Sequence, residues 1–100
     1  MQSIKPGVSL RGLSAEIVVG HMIISQIFQE MGKACVITSG SDGRHMLKSA
    51  HYRGDGLDYR IRHLTEEEQG RLQKEGTKRL GKEFYFKVKP NKLHAHLEFN

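Results

Sequence analysis

The sequence predicts an α+β fold in which helices pack on one face of a small, largely antiparallel sheet. An apolar segment with helical spacing lies near the start of the chain, and a more polar segment with helix-capping residues lies past the middle. Short β-rich runs separate and follow these segments, in the order helix, strand, loop, strand, helix, strand, strand. The length of 100 residues suits one domain, residues 1–100, and not two.

The first helix is predicted to begin after Ser14, whose hydroxyl suits an N-cap, and to stop at Gly32. Its apolar residues recur at approximately helical spacing and are expected to form one face: Ile17, Met22, Ile24, Ile27, Phe28 and Met31. His21 lies within this segment, and we interpret it as a side chain at the edge of the core.

The next two strands are predicted from composition and alternation. The run from Ala34 to Thr38 is apolar and β-rich, which indicates a buried strand. Residues 56–61 alternate between two faces. The apolar face carries Leu57, Tyr59 and Ile61, and the opposite face carries Gly56, Asp58 and Arg60.

The second helix is predicted to begin at Thr65, which forms a capping-box pattern with Glu68, and to end before Gly81. Gly70 and Gly76 weaken its middle, since glycine is a poor helix former.

Two further strands are predicted at the end of the chain, Phe84 to Val88 and Leu93 to Phe99, with a turn at Pro90 between them. On the last strand His94 and His96 are two residues apart, so they project from the same face.

The charge of the chain indicates an affinity for anionic partners. Its 16 Lys and Arg against 11 Asp and Glu give a formal net charge of +5. Nucleic acid, a membrane surface or a bacterial wall polymer would suit this charge. No run has the apolar length of a signal peptide or a membrane span. We therefore expect a soluble protein that is made in the cytoplasm and acts outside the cell only after release.

The cysteine count restricts any metal site to histidine and carboxylate ligands. Cys35 is the only cysteine, which excludes a disulfide or a cysteine-based zinc site within the monomer. Besides His94 and His96, the chain carries His51 and Asp58, seven positions apart. Two imidazoles and one carboxylate form the protein shell of a catalytic zinc site, with a fourth position left for water. Such a zinc ion lowers the pKa of water to about 7 and polarises a carbonyl, as amide hydrolysis requires.

The motifs that carry a family resemblance are Thr38-Ser39-Gly40, Arg44, Ser49-x-His51-x-x-Gly54-x-Gly56-x-Asp58 and His94-x-His96. Together they resemble the zinc D-alanyl-D-alanine carboxypeptidase family, which shares its fold with the Hedgehog signalling domain. The short forms that bacteriophages use as cell-wall endopeptidases are the most similar in size. The resemblance implies a zinc metallopeptidase, a carboxypeptidase or an endolysin-like endopeptidase, whose substrate is the peptidoglycan stem peptide at the cell wall.

The resemblance also implies a role for each matching residue. The positions that match zinc ligands are His51, Asp58 and His96. His94 matches a neighbouring histidine of the catalytic site. Arg44 matches the arginine that engages the substrate, and a guanidinium group suits a carboxylate or a polarised carbonyl. Ser49 is expected to hydrogen-bond within the site.

The sequence departs from this family where a general base is expected. Such peptidases have a Glu or Asp a few residues before the last zinc-binding histidine, whereas this chain reads Lys89-Pro90-Asn91-Lys92-Leu93. In one interpretation the chain is an active peptidase in which His94, or an acid elsewhere such as Glu98, Asp55 or Glu83, handles the proton. In the other it holds zinc and only binds wall peptide or a protein partner.

A third and less favoured interpretation is a nucleic-acid binder or a metal-dependent nuclease. The positive charge and the histidines permit it. Against it, the lysines and arginines are scattered over the second helix and the last turn, and neither a recognition-helix signature nor a stacking aromatic motif accompanies them.

Overall fold

A computed structural model describes residues 2–40 and 54–100 of the chain. Its elements are β1 (Gln2–Ile4), α1 (Ala15–Glu30), β2 (Cys35–Ser39), β3 (Gly56–Arg60), α2 (Glu66–Leu80), β4 (Phe84–Lys89), a 3-10 turn (Pro90–Lys92) and β5 (His94–Phe99). The fold class is α+β, as the sequence predicts, with two helices packed on a five-stranded sheet in this part of the chain. No helix within these ranges combines the length and the apolar character that crossing a bilayer would need.

The sheet is mixed. Its strands lie in the order β1-β2-β3-β5-β4, and the pairings β2–β3, β3–β5 and β4–β5 are antiparallel. β1 instead pairs parallel with β2, with Gln2 opposite Cys35. The sequence did not predict β1, because a strand of three exposed residues is too short to show alternation.

His21 ties β1 to the rest of the structure. Its Nε2 lies 2.8 Å from Oε1 of Gln2, and its Nδ1 lies 2.8 Å from the hydroxyl of Tyr59. Burial lowers the pKa of His21 below its ordinary value. These contacts place His21 at the edge of the core, as we interpreted it from the sequence.

The first helix begins as predicted, and four of the six residues predicted for its inward face are buried. Oγ of Ser14 accepts a hydrogen bond from the backbone N–H of Ile17 at 3.1 Å, so Ser14 is the N-cap. The buried positions are Ile17, Gly20, Ile24, Ile27 and Phe28. The expectation that Met22 shares this face is wrong, since Met22 is 63% exposed. Five residues turn a helix by about 500°, which leaves Met22 about 140° away from Ile17.

The second helix carries the predicted capping box. The N–H of Glu68 donates to Oγ1 of Thr65 at 3.1 Å, and the N–H of Thr65 donates to the Glu68 carboxylate at 2.8 Å. Gly76, which the sequence marks only as a weak helix position, is buried against β4. A Cβ added there would come within 2.6 Å of the Phe86 ring, so the absence of a side chain permits the close contact.

The core lies between the two helices and one face of the sheet. The sheet contributes fully buried side chains from alternate positions of the central strands: Leu57, Tyr59, Ala95 and Leu97. The intervening residues of these strands are partly exposed on the opposite side. We call this side the polar face, formed by Asp58 and Arg60 on β3 and by His94, His96 and Glu98 on β5.

Candidate metal centre and basic cavity

The residues singled out from the sequence fall into two groups. Asp58, His94 and His96 lie on the polar face. Arg44, Ser49 and His51 lie outside the residues that the structure describes, so their predicted roles stay predictions.

The register of β3 against β5 brings Asp58 and His96 together. Asp58 is directly opposite His96, and Arg60 is directly opposite His94. Oδ1 of Asp58 lies 2.8 Å from Nδ1 of His96, and each of these side chains is 14% exposed. The polar face therefore contains a carboxylate–imidazole pair that is largely shielded from water.

A second carboxylate contacts the other nitrogen of the same ring. Glu98, two residues after His96 on β5, places Oε1 3.0 Å from Nε2 of His96. Their separation of two residues places both side chains on the same face of the strand. On β4, Tyr85 places its ring centroid 6.1 Å from that of His96, at an angle of 55°. The imidazole is thus oriented by two carboxylates and one aromatic ring.

The charge environment of His96 favours its protonated form. Burial alone would lower the pKa of His96, but the hydrogen bonds to Asp58 and Glu98 outweigh burial and raise the pKa above its ordinary value. A divalent cation at Nδ1 would take the place of this proton, since a metal ligand must be the neutral imidazole.

Asp58 and His96 fit two positions of a zinc site. Ligand atoms bound to a tetrahedral zinc ion lie about 3.3 Å apart, so Oδ1 and Nδ1 would need to separate by only about 0.5 Å. The contact of Nε2 with Glu98 matches a common arrangement, in which a metal-binding histidine donates its other N–H to a carboxylate.

The two donors do not complete a site by themselves. Within residues 2–40 and 54–100, no group of three or more His, Cys, Asp or Glu side chains is placed to hold a metal ion. The third ligand that the resemblance implies, His51, lies outside those ranges.

The approach to β3, which carries Asp58, is held against the start of α1. The N–H of Ser14 donates to the carbonyl of Gly54 at 2.9 Å. Gly54 has a φ of 78°, and a Cβ there would collide with the carbonyl oxygen of Gly12. Only glycine fits this position, so the turn into β3 has a defined path.

A basic cavity of about 390 Å³ lies beyond His94 on the same side of the sheet. Its polar lining comes from four parts of the chain: Lys5, Thr38, Arg60, Arg62, Lys92 and His94. No acidic residue of the described ranges lines the cavity. This group of cations was not predicted from the sequence, because its members are far apart along the chain. The only signals were the place of Arg60 on the polar face and that of Lys92 in the last turn.

Comparisons with known proteins found no relative of this chain. The chain matches no protein-family model, and no curated protein or solved structure is significantly similar to it.

Proposed function

We propose that the protein is a zinc-dependent hydrolase of peptidoglycan stem peptides, acting as a carboxypeptidase or as an endolysin-like endopeptidase. The observation that carries the proposal is the Asp58–His96 pair, with 2.8 Å between Oδ1 and Nδ1 on the polar face. Both residues match zinc ligands in the motifs that resemble the family. The pair also lies on the side of the sheet away from the core.

Each residue of the site has a distinct role in this proposal. Asp58 and His96 would hold the zinc ion together with His51. Zinc would supply a water molecule of lowered pKa and a polarised amide carbonyl. Glu98 is a positioning residue, because its carboxylate accepts from Nε2 of His96 and so keeps Nδ1 directed toward Asp58.

Proton transfer falls to His94 in this proposal. His94 shares the polar face with His96, and two strand residues separate positions by about 6.8 Å. Histidine is an effective general base near neutral pH. The segment just before His94 offers no alternative, since Asn91 lies in an exposed turn and an amide does not accept a proton at neutral pH. Arg44 and Ser49 would bind the substrate, as the resemblance implies.

A second candidate function is a zinc-holding protein that binds wall peptide without cleaving it. The observation that favours it is the engagement of Glu98 with His96, which leaves this acid committed to positioning. Loss of a general base typically lowers a rate by about 10²–10⁴-fold.

The first test is mass spectrometry of the soluble products released from bacterial sacculi by the zinc-loaded protein. We expect free D-alanine or cut stem peptides from the native protein and none from His96→Ala. Lys78→Ala, on the exposed side of α2, is the matched control and should release the same products as the native chain. A native protein that holds zinc and releases nothing would contradict hydrolysis and favour the non-cleaving function.

A second test concerns the missing acid. If Asn91 occupies the place of a lost general base, Asn91→Glu should raise the rate of product release. A variant that binds zinc as the native protein does, yet gains no activity, would show that Asn91 is not that place.

A further inference from the structure

We propose that the basic cavity beside His94 is a subsite for a carboxylate group carried by an acidic peptide. This inference rests on the proposed function, because it assigns a substrate class to the same polar face. It adds a group of residues that the family motifs do not include.

The charges around the cavity have no partner of opposite sign among the residues that the structure describes. Four cationic side chains line it, from Lys5, Arg60, Arg62 and Lys92, and none of them forms an ion pair with an acid in the described ranges. Like charges that converge on one cavity repel one another, so an anion bound among them would be stabilised by all of them.

Some cations on the helical side of the described surface are arranged differently. The Arg79 guanidinium donates two hydrogen bonds to the Glu30 carboxylate, at 2.9 and 2.7 Å, and a third to Glu75 at 3.1 Å. Lys33 lies 3.8 Å from Glu68. Arg79 and Lys33 thus have acid partners, whereas none of the four cations at the cavity has one in the described ranges. Lys74 and Lys78 on α2 also have no acid partner there, but they lie on an exposed helix side and do not line this cavity.

The spacing of the cavity from the Asp58–His96 pair matches a peptide repeat. Arg60 and His94 face each other across β3 and β5, two residues along from Asp58 and His96. Two residues of a strand span about 6.8 Å, and an extended peptide has the same repeat. A peptide whose reacting bond lies over His96 would therefore place a group about two residues away over the cavity.

The lining favours a carboxylate over a nucleic acid. Arginine side chains present forked N–H groups that match a carboxylate, and the Thr38 hydroxyl offers a further donor. Proteins that bind single-stranded nucleic acid stack its bases on aromatic rings. No ring of Phe, Tyr or Trp in the described part of the chain lines this cavity, and Tyr85 lies instead against His96.

The experiment measures binding of a synthetic stem peptide to the zinc-loaded protein by isothermal titration calorimetry. One form of the peptide has free carboxylates, and the other has the same groups as carboxamides. Mass spectrometry of the recovered solution reports any cleavage as a separate readout. We expect the acidic form to bind about tenfold more tightly than the amide, a difference that one well-placed ionic contact can supply.

Matched variants locate the effect. Arg60→Gln with Arg62→Gln should remove the preference for the acidic peptide and leave binding of the amide within about twofold of native. Lys74→Gln with Lys78→Gln removes the same charge from the exposed side of α2 and should keep the preference. Thermal unfolding of both double variants checks that each is folded.

Three results would overturn the inference. Equal affinity for the two peptides would show that no carboxylate is bound, and an equal loss in both double variants would show an effect of overall charge. Tighter binding of a short oligothymidylate, dependent on Arg60 and Arg62, would assign the cavity to nucleic acid. A carboxylate preference that depends on Arg60, observed without cleavage, would support the subsite and contradict the hydrolase.

Discussion

The two faces of β3 and β5 differ sharply although the same strands form both. On one face Leu57, Tyr59, Ala95 and Leu97 are fully buried under the helices. The other face carries the Asp58–His96 pair and leads to the basic cavity. The difference shows that alternate residues of the same strands serve apolar packing on one face and carry polar and charged groups on the other.

The division has an energetic basis. Each large apolar side chain on the covered face contributes roughly 1.5–3 kcal/mol by leaving water. Exposed side chains contribute little by burial, and most surface substitutions change stability by less than about 0.5 kcal/mol. The like charges at the cavity are therefore not explained by folding, and binding of a carboxylate is the explanation that we have proposed for them. The carboxylates of Asp58 and Glu98 stabilise the protonated form of His96.

The largest expected effect separates the two faces directly. Leu97→Ala should lower the free energy of unfolding by about 2–5 kcal/mol, because it leaves a void beneath the helices. His94→Ala, on the polar face of the same strand, should change it by less than about 0.5 kcal/mol. Urea denaturation of the two variants measures both values. A similar loss of unfolding free energy in both variants would show that the two faces do not differ in their contribution to stability.

The next prediction applies the same test to α2. Gly76→Ala should lower the free energy of unfolding by about 1–3 kcal/mol, since the new Cβ meets the Phe86 ring. Gly70→Ala has no neighbouring atom within 4 Å and should instead raise it, by up to about 1 kcal/mol, through better helix propensity. The two midpoints in urea should move in opposite directions. A gain from Gly76→Ala would mean that β4 and α2 pack less closely than described.

A third prediction concerns the edge of the sheet at β4. The Gln73 side chain donates to the carbonyl of Phe86 at 2.9 Å and accepts from the N–H of Val88 at 2.7 Å. Gln73→Leu leaves both backbone groups without this partner and should cost about 1–3 kcal/mol. Lys74→Leu, one residue along on the exposed side of α2, is the control and should have little effect. If the two variants unfold at the same urea concentration, the Gln73 side chain does not stabilise the edge strand β4.

The smallest expected effect is a difference in pH dependence between the two faces. Burial lowers the pKa of His21, which contacts Tyr59 of the covered face. Its folded-state pKa lies below the unfolded value, so protonation favours unfolding. Stability from His21 is complete above pH about 6.5 and falls as the pH decreases toward the folded pKa.

His96 on the polar face has the opposite sign. Its folded-state pKa is raised, so its contribution is complete below the unfolded pKa and declines as the pH rises through the folded value. The two effects are separated by comparing the native protein with His21→Gln at pH 7.5 and 5.5. The variant should lose less stability on acidification. If the native protein and His21→Gln lose the same free energy of unfolding between pH 7.5 and 5.5, folding does not lower the pKa of His21.

Much of the local structure was predictable because its signals are local. Ser14 caps α1 and Thr65 with Glu68 caps α2, since capping depends on residues within one turn. Glu98 could be placed on the face of His96 from the strand period alone. The prediction for Met22 was wrong because it followed from the apolar character of the residue and not from its angular position around the helix. Strand β1 was not predicted because it depends on pairing with β2, which is distant in sequence.

Which residues share a face of each strand follows from the sequence, because side-chain direction alternates with the backbone period. Which faces and strand ends meet depends on the tertiary structure. The β3–β5 register sets Asp58 opposite His96, and the strand order brings Lys5 and Arg62 to the same cavity as Lys92. Register and order depend on packing summed over the whole sheet, and no local pattern of residues specifies that sum.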